Sequence, residues 1–142
     1  SQTETGYYYA FNKLYDGSTG DPCSKLNTAY YGTSWRTPTK NELEKLARCT
    51  DKVYTNGGMW FTHQSLGLFL KAGGMRQESG AGTGGAGYTD HGCYVTSTLG
   101  SSGSNCYVME FTTITVVVSN TGAWWSLLTN GYFVRCVKGT KQ

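Results

Sequence analysis

Apolar and polar positions change their spacing along this chain. Leu43, Leu46 and Ala47 fall on one side of a 3.6-residue repeat, with Glu42, Glu44, Lys45 and Arg48 away from it. Thr39-Lys40-Asn41-Glu42 just before them fits a capping box, so the pattern predicts an amphipathic helix over about residues 40–49. After Cys93 the period drops to two. Tyr107, Met109 and Phe111 alternate with Val108 and Glu110, and Thr112 to Val118 is a β-branched run. Asn130-Gly131 is a turn signal, and Tyr132 to Val137 reads as a closing strand. Tyr7 to Phe11 reads as a first strand. Met59-Trp60-Phe61 and Leu68-Phe69-Leu70 fit either buried strands or a second short helix. Residues 73–87 hold seven Gly and read as a long loop. One early helix followed by a hairpin-rich half predicts an α+β fold.

Trp35-Arg36-Thr37-Pro38-Thr39-Lys40 opens the helix, and Phe133-Val134-Arg135-Cys136-Val137-Lys138 closes the chain. Both look built for one core, so residues 1–142 are expected to form a single domain. Leu43, Leu46, Phe111 and Val134 are the expected core, with Trp35 locking the start of the helix.

Composition narrows the function classes. The chain is 38% hydrophobic and 15% charged, which argues against disorder. Eleven Tyr and four Trp, with many Ser, Thr, Gly and Asn, fit either a turn-rich β domain or a surface that binds through stiff amphipathic rings. The net charge of +3 comes from scattered residues with no basic run, which gives nucleic-acid binding little support. No stretch approaches the roughly 18 apolar residues of a membrane span. The chain starts at Ser1 rather than Met, which leaves room for a removed leader or anchor.

Catalytic patterns are weak. Gly80, Gly82 and Gly85 satisfy G-x-G-x-x-G, as do Gly82, Gly84 and Gly87, but without a strand before or a helix after them. His63 and His91 lack metal-ligand spacing, and Asp90-His91 adjacency alone places no side chains in contact. A Cys/His nucleophile pair, or a carboxylate pair drawn from residues such as Asp21, Asp51 or Glu110, would have to be assembled in space. The chain is expected to be no enzyme and to need no metal or cofactor. The five cysteines, Cys23, Cys49, Cys93, Cys106 and Cys136, are odd in number and form no C-x-x-C, which disfavours zinc and tilts toward an oxidising compartment. Residues 99–130 set hydroxyl and amide side chains beside Trp124, Trp125 and Leu127. The two adjacent Trp cannot point the same way along a strand, so either one faces outward as a binding anchor or a bend buries both.

Several segments recur in order in a known family: Gly20-Asp21-Pro22-Cys23, Ser34-Trp35-Arg36-Thr37-Pro38-Thr39 with Glu42-Leu43, Leu68 to Arg76, Thr96-Ser97-Thr98, and Gly131 to Val137. Over about residues 20–138 the chain resembles the Fibrobacter succinogenes major paralogous domain of gut Bacteroidetes surface proteins, which is similar to the C-type lectin fold. It departs from the family's Tyr-Trp-Ser-Ser pattern at Tyr94-Val95-Thr96-Ser97. The resemblance implies termini that lie near each other, a helix packed on antiparallel sheets, and last four strands that present one face. It also implies a helix-to-last-strand disulfide, here Cys49 with Cys136. Cys23 competes for Cys136, and Cys93 could pair with Cys106. Calcium-dependent sugar binding is not implied, since the lectin ligand triplets are absent and residues 91–130 carry one acid, Glu110.

The same fold occurs in variable proteins of bacteria and phages diversified by retroelements that mutate adenines in asparagine-type codons. Such codons yield no Lys, Glu, Gln, Met or Trp. Residues 111–134 contain none of these but Trp124 and Trp125. The expected function is a ligand-binding adhesin or receptor-binding domain on a cell surface, or else on a phage particle, with a protein or glycan ligand. The expected contacts are Tyr107, Thr112, Thr113, Val117, Ser119, Trp124, Trp125, Leu127 and Asn130. The alternative is a fixed structural domain of a pilus or lipoprotein. An enzyme on this fold, like the formylglycine-generating enzymes, would need a cysteine constellation that the chain does not match.

Overall fold

The computed structural model describes residues 8–14, 16–76, 90–121 and 128–142. A 3-10 turn at Pro22–Leu26 leads into β1 (Trp35–Arg36), α1 (Lys40–Ala47), β2 (Lys52–Thr55), β3 (Gly58–His63) and β4 (Leu66–Lys71). β5 (Gly92–Leu99), β6 (Cys106–Phe111), β7 (Val116–Ser119) and β8 (Val137–Lys138) follow. Among the described residues the fold is α+β, with one short helix and three antiparallel sheets ordered β1–β8, β2–β3–β4 and β5–β6–β7.

The helix starts as its sequence dictates. Thr39 Oγ1 accepts from the Glu42 amide at 3.3 Å, and Glu42 Oε1 accepts from the Thr39 amide at 2.9 Å, completing the capping box. Its far end comes at Ala47, where Lys52 Nζ donates to the carbonyls of Ala47 and Cys49. A cation there complements the negative end of the helix. Arg36, not Trp35, locks the start of the helix, through both carboxylate oxygens of Glu42. The Trp35 indole instead donates to the Tyr31 carbonyl at 2.9 Å.

The apolar runs around Trp60 and Phe69 are strands, paired Met59 to Leu70 and Phe61 to Leu68. The turn between β2 and β3 is Asn56-Gly57, with φ of 53° and 74°. Two left-handed residues in a two-residue loop match the natural twist of a hairpin, and Asn-Gly adopts them at little cost.

Two apolar clusters flank the β5–β6–β7 sheet. Leu43, Met59, Phe61, Leu70, Tyr94, Met109, Phe111 and Phe133 form the one beneath α1, with Leu46 packed against it. Met75, Cys93, Val95, Cys106, Val108 and Tyr132 form the other, with Val134 packed against it. The alternation of β5 and β6 between these clusters follows from the two-residue period of a strand. Gly92 sits where a Cβ would fall 2.1 Å from the Phe111 ring, so only glycine fits.

The chain's ends depart from expectation. Tyr9 makes an isolated bridge to Tyr132 rather than a strand, and Tyr7 lies outside the described residues. Gly131, Tyr132 and Phe133 bridge Arg76, Tyr9 and Tyr94 in turn, and regular pairing then lapses until Val137. Val137 and Lys138 pair with Arg36 and Trp35, so the last four strands do not share one sheet. The Cys23–Cys136 disulfide lies just before β8, at the point where the chain leaves Tyr94 and joins β1.

That bond also overturns the other pairings. Cys49, Cys93 and Cys106 form no disulfide. Cys49 lies two residues past the helix and donates its thiol to the Thr62 carbonyl at 3.2 Å. Cys93 lies opposite Glu110, four positions along β6 from Cys106. At about 3.3 Å per residue that is roughly 13 Å, well past the ~7 Å Cα separation a disulfide tolerates.

Candidate ligand-binding face

β7 is an edge of its sheet. Val116 and Val118 stand opposite Phe111 and Met109 and pack into the core beneath α1. Val117 stands opposite Glu110, points the other way and is 53% exposed. A strand of three consecutive valines is thereby anchored by two and presents the third.

Hydroxyls shape both ends of this strand. The Thr112 amide donates to the Thr115 carbonyl at 2.9 Å, and Thr112 Oγ1 accepts from the amides of Ile114 and Thr115 at 3.3 and 3.2 Å. This side-chain turn places Thr113 and Ile114 at its tip, with Ile114 87% exposed. At the other end Ser119 Oγ accepts from the Thr121 amide at 3.1 Å and lies 2.7 Å from its hydroxyl.

Thr112, Thr113, Val117 and Ser119 are therefore brought together along one edge. Two expected contacts are not. Tyr107 stands on the α1 face of the sheet, under Lys40 Nζ at 4.4 Å from its ring, because it shares a strand face with Met109 and Phe111. Asn130 is 2% exposed, with its amide 3.9 Å from Met75 Sδ and a hydrogen bond to the Tyr132 hydroxyl. Its polar atoms are thus engaged inside the protein rather than presented at the surface. Trp124, Trp125 and Leu127 lie outside the described residues, as do the glycines of the G-x-G-x-x-G matches.

Beside Val117, Glu110 is half-buried, with Oε1 3.5 Å from His91 Nδ1; His91 Nε2 is 3.8 Å from Asp90. Asp90 and His91 are thus spatial as well as sequence neighbours. Burial raises the Glu110 carboxyl above its ordinary value, and His91 opposes that rise. Burial, then the Glu110 charge, pushes the Cys93 thiol far up, and burial pushes Cys106 up to about 12. Neutral thiols are poor nucleophiles, so Cys93 and Cys106 are unreactive where they lie.

Sequence reasoning missed Tyr30 and Tyr31, which are 87% and 52% exposed with ring centroids 4.8 Å apart. The Thr28–Gly32 bridge holds them out. The adjacent Tyr pair closed by Gly32 was the signal available. Among the described residues, no group of three or more His, Cys, Asp or Glu is placed to hold a metal ion. No helix among them is long and apolar enough to cross a membrane. No protein-family model, curated protein or solved structure matches the chain.

Proposed function

We propose that the chain is a non-enzymatic ligand-binding module with a C-type lectin-like fold, displayed on a cell surface or a phage particle. Its ligand is a protein or glycan on another surface. It meets that ligand through the β7 edge, the Thr113-Ile114 tip and the residues that follow. The observation that carries this reading is the division of labour in β7: Val116 and Val118 anchor the strand while Val117 and Ile114 stand exposed. Side chains on such a rim can change without disturbing the core, which is what a diversified binding protein requires. The disulfide supports an oxidising compartment.

In this reading a retroelement diversifies the binding face within residues 99–130. Sequencing the gene's 3′ end and neighbourhood in related isolates tests it. A near-copy of these codons differing only at adenines, beside a reverse transcriptase gene, is the expected result. A gene without such a repeat, set among pilus or lipoprotein genes, contradicts it and favours a fixed structural domain.

A further inference from the structure

A concavity whose lining includes no β7 residue lies between the end of α1 and the β3–β4 hairpin, with a volume of about 800 Å³. That is within the roughly 300–1,000 Å³ of small-molecule sites. It exists because the hairpin outruns the helix. The rungs Met59–Leu70, Phe61–Leu68 and His63–Leu66 succeed one another away from the core. The first is buried under α1, while Leu66 in the third is 74% exposed. The helix stops at Ala47, and Leu46 is the apolar helix side chain that lines the groove.

The rim is charged unevenly. Lys45 and Arg48 come from the helix, and Asp51 stands against them. Glu42 also lines the groove, but both of its oxygens accept from Arg36. Lys45 Nζ donates to Gln142 Oε1 at 3.2 Å in an exposed contact, which yields readily to a charged competitor.

We propose that this groove binds a small amphipathic carboxylate, its aliphatic or aromatic body on Leu68 and Leu66, over the buried Phe61, and its carboxylate on Arg48 and Lys45. An apolar floor under a cationic rim recognises that class by charge complementarity, since an arginine can take a carboxylate with two parallel hydrogen bonds. Asp51 on the same rim disfavours a multiply charged anion. The site goes beyond the β7 reading and stands or falls without it.

Calorimetric titration with decanoate and with decanol tests the assignment. Decanoate is expected to saturate one site per chain, with decanol binding at least about tenfold more weakly. Arg48→Ala changes an exposed side chain; it should weaken decanoate about five- to tenfold and leave decanol unchanged. Leu66→Ser should weaken both, and decanoate should slow iodoacetamide alkylation of Cys49, whose thiol lines the groove. Absence of saturation, equal binding of the two probes, or an Arg48→Ala protein that binds decanoate normally would each overturn the proposal. So would a Cys49 already shielded from alkylation without ligand, which would mean that another part of the protein fills the groove.

Discussion

Arg36 and Glu42 meet fork to fork, Nη1 to Oε1 at 2.6 Å and Nη2 to Oε2 at 2.8 Å. The same guanidinium donates to the carbonyls of Gly139 and Thr140 at 2.6 and 2.7 Å. One arginine thus joins β1, the helix start and the chain's last residues. The Arg36 bonds, aided by those from Thr39, hold the Glu42 carboxyl at about 2 despite partial burial. A lowered folded-state value means that the pair stabilises above the ordinary carboxylate pKa and is lost as pH falls from about 4.5 toward 2. Glu42→Gln should cost about 1.5–3 kcal/mol at pH 7 and flatten the stability curve over that window, measured by denaturant melts across pH.

The Cys23–Cys136 bond closes a loop spanning 113 residues. Chain-entropy reasoning assigns such a bond a few kcal/mol, so Cys23→Ser with Cys136→Ser should lose about 2–5 kcal/mol. Ellman titration should find one ready thiol in the folded protein, Cys49, and two more, Cys93 and Cys106, only on unfolding. A Cys49–Cys136 bond would instead leave no readily accessible thiol at position 49.

Gly92 and Phe111 are matched in shape. Gly92→Ala puts a methyl group against the ring and should cost about 1–3 kcal/mol, while Phe111→Ala empties a fully buried site and should cost about 3–5 kcal/mol. Thermal or urea unfolding of the two variants checks the order.

The helix was legible because its signals are local: the capping box and the Leu43–Leu46 stripe sit within one short window. The segments 35–40 and 133–138 stood out in the sequence, but that Trp35-Arg36 pairs with Val137-Lys138 did not. The Asn56-Gly57 hairpin was written plainly, but interrupted alternation on either side hid it. Tyr107 could have been placed, since expecting Phe111 in the core commits every second residue of its strand to that face. Asn130 could not, because a local turn signal says nothing of the burial to which Met75, 55 residues away, contributes. Disulfide connectivity could not either: five cysteines allow many pairings, and only register and chain path exclude most of them.

On β7 the two faces should respond oppositely. Val117→Asp should change stability by no more than about 0.5 kcal/mol, because the side chain already meets solvent. Val118→Asp should cost more than about 2 kcal/mol, because it drives a charge toward the cluster beneath α1. Chemical denaturation of both proteins decides this.

The central claim is a rigid sheet whose outer rim is free to change and to bind. A surface-displayed library randomised at Thr113, Ile114 and Val117, sorted first for protease resistance and then against panels of proteins and glycans, tests it most directly. The account predicts that most variants stay folded and that binders emerge whose affinity depends on these three positions. A library that largely unfolds, or one that stays folded and yields no binder, would contradict it.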